Sequence, residues 1–377
     1  MTLEIVASRA SFASALAQAA SSGAKTLLLA PLGAGKTHSL LAARDALREA
    51  SIPFVFIDLF TAASTPEHLL ETLARSVTPF MERDAEAIRV LAALGATDRH
   101  QSSAALLRLL DLLATRPAER PFVWLVDEVT EIRSLAYFPE LGEIEAPFSR
   151  AISASRGAIL TSSYLGLAAD LFPDFAKQTL PGLSPEDLAG VPSLRSDNDA
   201  MSAAIGITSG LAATLLPLAS DMRESRNLER SLIRLLTPGA PLELVCRRHY
   251  EVLLLRSRGY AVAKRTAEVV AGARDQRLTD LFPHIGRTAG ASRQYLRWLV
   301  EVGLLVQVKK RYDFADPLLG LWAGLYLGRA EGATEEEIRD EVRARLRPAR
   351  SEPLQAAETP EPAEAPKKRV DRFEEID

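Results

Sequence analysis

The stretch "LLLAPLGAGKTHSL", residues 27–40, decides the reading of this chain. It opens as a fully apolar run, of the kind a parallel sheet buries on both faces, and closes as the start of a helix. Between the two, Ala30 to Thr37 follow G-x-x-x-x-G-K-[ST], with alanine in place of the first glycine. A phosphate-binding loop needs a tight turn that exposes backbone N–H groups, a lysine that reaches the β- and γ-phosphates, and a hydroxyl for Mg²⁺. Gly33 and Gly35, flanking Ala34, permit the turn. Lys36 is the charge and Thr37 the hydroxyl. The next helix, through Thr37 and His38, points its positive N-terminal end at the phosphates. Alanine is tolerated at position 30 provided φ stays negative there.

Working outward, short apolar runs recur at 52–60, 121–129, 157–164 and 178–183, and helical periodicity fills 8–22 and 37–49. Three helices are expected over 66–117, with breaks near Glu82 and Gly95. Strand and helix alternating in this way predict an α/β fold with a doubly wound parallel sheet. The third run, "FVWLVDEV", ends in Asp127-Glu128. An acid at the C-terminal edge of a strand, beside the loop strand, is placed to hold Mg²⁺. The glutamate next to it is placed to polarise an attacking water. Thr161 and Ser162 end the fourth run, where a polar side chain either reaches the γ-phosphate or caps the strand. Asp58 reads as a loop cap.

The 377 residues are 47% apolar, enough for one large domain or two to three smaller ones. Net charge is −4 but unevenly spread: residues 241–330 carry 15 basic against 8 acidic side chains, and 331–377 carry 9 against 14. A basic module inside an acidic chain calls for a partner. One cysteine, Cys246, excludes a disulfide framework and Cys-based zinc sites. The first twenty residues lack a basic n-region, and no run reaches membrane length, so a cytoplasmic protein without a membrane span is expected.

After residue 184 the apolar strands stop, and 185–260 read as helical. The segment "LTDLFPHIG" is a short helix and "ASRQYLRWLVEVG" a second, with Gly303 as its cap. "LLVQVKKRYDF" is a hairpin whose turn is Lys309-Lys310-Arg311. Leu296, Leu299 and Val300 face inward; Arg293, Gln294, Arg297 and Glu301 face outward. Arginine and glutamine on an exposed second helix suit base edges, and basic residues at a hairpin tip suit phosphates. The same surface serves equally as a protein-contact face. Arg256, Arg258, Lys264 and Arg265 either extend the basic surface or are ordinary solvated charges. From about 348 the chain is rich in Pro, Ala and Glu, which predicts disorder. It closes on Val370, Phe373 and Ile376, an apolar strip that suits docking on a protein partner.

In combination, "APLGAGKTHSL", "FVWLVDEVTEI", "GAILTSSYLG" and "LPGLSPED" resemble the AAA+ ATPases, and more narrowly the archaeal-type ATPases of the STAND branch. The segment from Leu278 to Trp322, with Asp316, Pro317 and Trp322, resembles the winged-helix domain of that family. The resemblance covers about residues 5–330. It implies an ATPase core at 1–183, a helical lid at 184–240, a winged helix at 241–330 and, after a helix, an acidic tail within 331–377. It implies Gly33, Ala34, Gly35, Lys36, Thr37 and His38 at the nucleotide, Thr37 and Asp127 at the metal, Glu128 and Lys36 in hydrolysis, and Thr161 or Ser162 as the sensing position. Three departures stand out. Ala30 replaces a glycine, the basic position before the fifth strand offers only Lys177 (with Arg150 and Arg156 as weak substitutes), and the lid's Gly-x-Pro reads Gly210-Leu211-Ala212.

Two function classes follow. One is an ATP-hydrolysing switch that couples nucleotide state to DNA, to a protein partner or to self-assembly. The other is a DNA-binding regulator or interaction scaffold that uses ATP as a ligand without significant turnover.

Overall fold

Five strands, β1 (Lys25–Leu29), β2 (Phe54–Asp58), β3 (Val123–Asp127), β4 (Gly157–Ser162) and β5 (Ala176–Thr179), lie parallel in the order β2-β3-β4-β1-β5. The computed structural model describes residues 7–81, 101–115, 121–189, 198–272, 275–329 and 332–346, and these belong to one compact unit. The strand order corrects one expectation. The strand ending in Asp127 is not beside the loop strand, because β4 is inserted between them and pairs with both. Thr161 and Ser162 therefore stand between the loop and the acidic pair, with Leu28 opposite Thr161 and Leu29 opposite Ser162.

The apolar runs are continuous because both faces of the sheet are covered. Leu27, Leu29, Ile57, Trp124, Val126 and Leu160 point to one side, against α4 (Pro66–Val77) and α5 (Ser102–Thr115) through Leu69, Leu73, Leu106 and Leu109. Leu28, Val123, Leu125 and Ile159 point to the other, against α1 (Ala7–Ser21) and α2 (Lys36–Glu49) through Ala13, Leu16, Leu40 and Leu47. The two-residue period thus divides β1, β3 and β4 between two cores. β5 starts two residues earlier than expected, and all four of its residues are exposed at the sheet edge, so it carries no apolar signature. Asp58 caps α3 (Leu59–Ala62) by accepting from the Phe60 N–H at 3.0 Å. The helix expected between α4 and α5, with its breaks near Glu82 and Gly95, falls outside the described residues, as does the strip Val370, Phe373 and Ile376.

Within the sheet region α6 (Glu145–Ser153) and α7 (Leu165–Leu171) flank β4; beyond β5 come the helices α8 (Pro185–Ala189), α9 (Asn198–Thr208), α10 (Ala212–Ser225), α11 (Leu228–Leu236), α12 (Pro241–Arg256) and α13 (Tyr260–Gly272). Then come β6 (Gln276–Arg277), α14 (Leu278–Ile285), α15 (Ala289–Glu301), β7 (Leu305–Val308), β8 (Arg311–Phe314), α16 (Pro317–Tyr326) and α17 (Glu335–Leu346). One apolar cluster runs from Leu183 to Val342, so no break in the core marks residue 240.

The expected hairpin has a third strand, giving the order β6-β8-β7. Its turn is made by Lys309 and Lys310, at φ 48° and 67°. Arg311 opens β8 instead of completing the turn, and pairs with Asp275. Asp316 caps α16 by accepting from the Leu318 N–H at 2.9 Å, and Pro317 sits at the first helical position, where no N–H is needed. Trp322 packs against Tyr250 and Tyr326 and donates to the buried Glu243 carboxylate. The Asp-Pro-x-x-x-x-Trp stretch thus starts a core helix and anchors it. Among the described residues, no helix is long and apolar enough to cross a membrane.

Candidate active site

The loop 30–37 leaves β1 and enters α2 through two left-handed glycines, Gly33 at φ 79° and Gly35 at φ 97°. Ala30 is fully buried against the sheet, and its N–H donates to the Ser162 carbonyl at 3.3 Å; its φ is not positive, so alanine fits. Lys36 turns back into the loop and donates to the carbonyls of Ala30 and Pro31 at 2.9 and 3.0 Å. Its ammonium is 3.4 Å from Glu128 Oε1. Burial lowers the Lys36 pKa, against the pull of Glu128 and Asp127. Thr37 Oγ1 donates to Asp127 Oδ2 at 2.6 Å. His38 is exposed on the first turn of α2.

Asp127 ends β3 and is also bonded by the Thr161 hydroxyl. Burial raises its pKa, and the two hydroxyl bonds oppose that rise. Thr161 in turn accepts the Glu128 N–H at 3.0 Å, which fixes the peptide between the two acids. Ser162 faces the other way, bonding Thr130 at 3.1 Å and accepting the Tyr164 N–H at 2.9 Å. Of the two candidate sensing residues, Thr161 is the one that touches the acidic pair.

Glu128 has φ 47° and ψ 55°, a left-handed conformation that non-glycine residues seldom adopt. The backbone turns there, and the carboxylate meets Lys36, Ser163 and Arg256. Ser163 donates through its N–H at 3.1 Å and its hydroxyl at 2.7 Å. Burial pushes the Glu128 pKa up, but Lys36, Arg256 and the Ser163 bonds together hold it below the usual carboxylate range.

Two residues here were not singled out for the site from sequence. Arg256, the last residue of α12, neither extends a basic surface nor is a solvated charge: its side chain is only 9% exposed and lies at Glu128. His249, on the same helix, sits over the loop: a Cβ added at Gly33 would lie 2.7 Å from its Cε1. Burial, with Arg248 and Lys36 nearby, lowers the His249 pKa to about 4. The start of α10 also touches the loop, as the Ala213 N–H donates to the Gly33 carbonyl at 2.9 Å. That contact follows directly on Gly210-Leu211-Ala212 and holds without the proline. Lys177, Arg150 and Arg156 are all exposed.

Thr37 and Asp127 offer hard oxygen donors side by side, and the described residues contain no group of three or more His, Cys, Asp or Glu suited to a metal. That donor set fits Mg²⁺, which keeps several waters and takes few protein ligands. An open groove of about 650 Å³ between α11 and α17, lined by Arg230, Arg234, Arg339 and Arg343, includes none of these residues. On the second helix and hairpin, Arg293, Arg297, Lys309 and Lys310 are exposed, and Gln294 and Arg311 partly so. Arg297 pairs with Glu301 at 3.4 Å.

No family model matches the chain. No curated protein matches it either. Among solved structures it is similar to the Walker-type ATPase PABY2304 of Pyrococcus abyssi, at 16% identity and TM-score 0.58, over 83% of this chain and 94% of that one. Weaker matches are the RuvB Holliday junction branch migration motor of Thermotoga maritima (15% identity, TM-score 0.34, 83% and 92% covered) and AMPPCP-bound DnaA of Aquifex aeolicus (10% identity, TM-score 0.28, 77% and 86% covered), both too distant to bear on this chain. The first likeness shows the fold: a five-stranded parallel sheet covered by helices on both faces, followed by a helical region.

Proposed function

We propose that this chain binds Mg-ATP at residues 30–37 and hydrolyses it. One observation carries the reading: the loop lysine, the loop hydroxyl, the Asp-Glu pair and Thr161 converge within hydrogen-bond reach at the C-terminal ends of β1, β3 and β4. The backbone N–H groups of Gly33, Ala34 and Gly35, with the start of α2 as far as His38, bind the phosphates, and Lys36 neutralises them. Thr37 and Asp127 would hold Mg²⁺, which when bound supplies charge for the leaving and transferring oxygens. Glu128 takes the proton of the attacking water. Thr161 holds Asp127 and the Glu128 N–H in register, and so links the metal ligand to the base.

The region from 241 to 330 is proposed to be a winged helix, with α15 as its exposed helix and β7-β8 as its wing. Arg293, Gln294, Arg297, Lys309, Lys310 and Arg311 then contact duplex DNA. Two lysines at positive φ support this, since Asn or Gly fits such a turn with less strain and neither carries charge. On this reading nucleotide state is coupled to DNA or to a protein partner in the manner of the STAND branch, in the cytoplasm, with self-assembly as a further arm.

A second reading is favoured by the pairing of Glu128 with both Lys36 and Arg256: a regulator that uses ATP as a ligand without significant turnover. Titrating ATP into wild type and Lys36→Ala tests the site itself. Loss of binding in the variant is expected, and undiminished affinity would reject the loop.

A further inference from the structure

Arg256 ends α12 within Leu253-Leu254-Leu255-Arg256-Ser257-Arg258. Its guanidinium reaches three side chains, all on the base's side of the site: Glu128 Oε2 at 3.3 Å, Glu131 Oε1, and Ser163 Oγ at 2.7 Å. The Tyr164 ring lies 5.7 Å from it, and the Tyr164 hydroxyl donates to the Arg256 carbonyl at 2.8 Å. Side chain and backbone of this one residue are therefore both tied to the edge of the core.

A general base needs a free lone pair aimed at its water. Here Glu128 Oε2 accepts from the Ser163 N–H, the Ser163 hydroxyl and Arg256, while Oε1 faces Lys36. Arg256 also holds Ser163, so it engages the carboxylate both directly and through a second residue. Glu131 fixes the guanidinium where it is; an arginine serving only a phosphate has no use for two carboxylates.

The other end of the segment leads to the proposed DNA-contact helix. The Arg258 guanidinium lies 5.9 Å from the Trp298 ring on α15. Gly259, at φ 66°, is covered by Tyr295 of the same helix: a Cβ there would lie 2.7 Å from Tyr295 Cε1. Residues 256–259 thus touch the base at one end and, at the other, the helix that presents Arg293 and Arg297 to solvent.

We propose that Arg256 is a positioning residue that holds Glu128 back, and that duplex DNA engaging α15 releases it by shifting residues 256–259. The proposal rests on the reading of Glu128 as general base.

The test measures ATP turnover and, separately, affinity for a fluorescent ATP analogue. It uses the full chain as wild type, Arg256→Ala, Arg256→Lys, Glu131→Gln and Glu128→Gln, each with and without duplex DNA. Arg256→Ala should raise kcat about tenfold, with KM and analogue affinity within about twofold. It should also lose any stimulation by DNA. Lysine should restore part of the restraint, and Glu131→Gln should raise kcat in the same direction by about two- to threefold. A fall in kcat in folded Arg256→Ala would overturn the proposal and make Arg256 a stabiliser of the transferring phosphoryl group; unchanged kcat would overturn it too. Should Arg256→Ala not fold, Glu131→Gln decides, and unchanged or lower turnover there counts against the restraint. Turnover that persists in Glu128→Gln would instead reject the underlying assignment of the base.

Discussion

Arg256 and Glu128 lie 128 residues apart in sequence and 3.3 Å apart in space. Both are largely buried, at 9% and 10% side-chain exposure. The contact joins the end of α12 to the turn after β3, and it sets a positive charge against the residue proposed as general base. A buried pair of this kind is costly to break from one side, because the remaining charge is left without its partner.

Lys36→Ala removes the ammonium that bridges the loop carbonyls and Glu128. ATP affinity should fall by at least about a hundredfold, given the weight of a charged contact in a buried site. Isothermal titration calorimetry reads this directly, with circular dichroism confirming that the sheet is intact.

Gly33→Ala meets two obstacles. Gly33 has φ 79°, and the new Cβ would stand 2.7 Å from His249 Cε1 and 3.0 Å from Ala213 Cβ. A loss of about 1–3 kcal/mol in unfolding free energy is expected, with weaker nucleotide binding. His249→Ala added to it should recover part of the loss, since it clears the nearer obstacle but leaves the φ strain. Urea unfolding of the two single variants and the double variant measures that coupling.

His249 predicts a pH dependence. Its folded pKa is about 4 against an ordinary 6.5. The unfolded chain therefore binds the extra proton first as pH falls. Stability from this residue is present above 6.5 and is lost as pH drops from 6.5 through 4. His249→Gln should flatten that slope, by on the order of 3 kcal/mol across the window. Urea melts of both proteins at pH 7.5 and 4.5 check it; equal slopes would mean the imidazole is not held neutral over the loop.

Much of the core was legible in the sequence. Gly33, Gly35, Lys36 and Thr37 announce their loop because left-handed turns and phosphate charge demand those residue types at that spacing. Leu27–Leu29 and Val123–Val126 announce buried strands because both faces are covered. Strand order was not legible: a short apolar run carries no record of its neighbour, so the insertion of β4 between β1 and β3 appears only in the fold. β5 was misplaced because an exposed edge strand has no apolar pattern. Arg256 and His249 were missed as site residues because each is a lone polar residue on an otherwise ordinary helix. Their partners lie over 120 and over 200 residues away, at Glu128 and Gly33.

Replacing the hairpin tip separates stability from binding. Lys309→Asn with Lys310→Gly puts residues suited to positive φ at the turn and removes two charges. The fold should gain about 1 kcal/mol, while duplex affinity falls and the salt dependence of binding drops by roughly two phosphate contacts. Thermal melts and DNA titrations at several salt concentrations report the two effects independently.

Hydrolysis by Glu128 in a site built by the loop is decided by ATP turnover of wild type and Glu128→Gln, each with and without duplex DNA. Slow turnover is expected in wild type, faster turnover with DNA, and none in the variant, which should still bind ATP. Turnover in Glu128→Gln equal to wild type, or no turnover in wild type with any partner condition despite tight ATP binding, would contradict it.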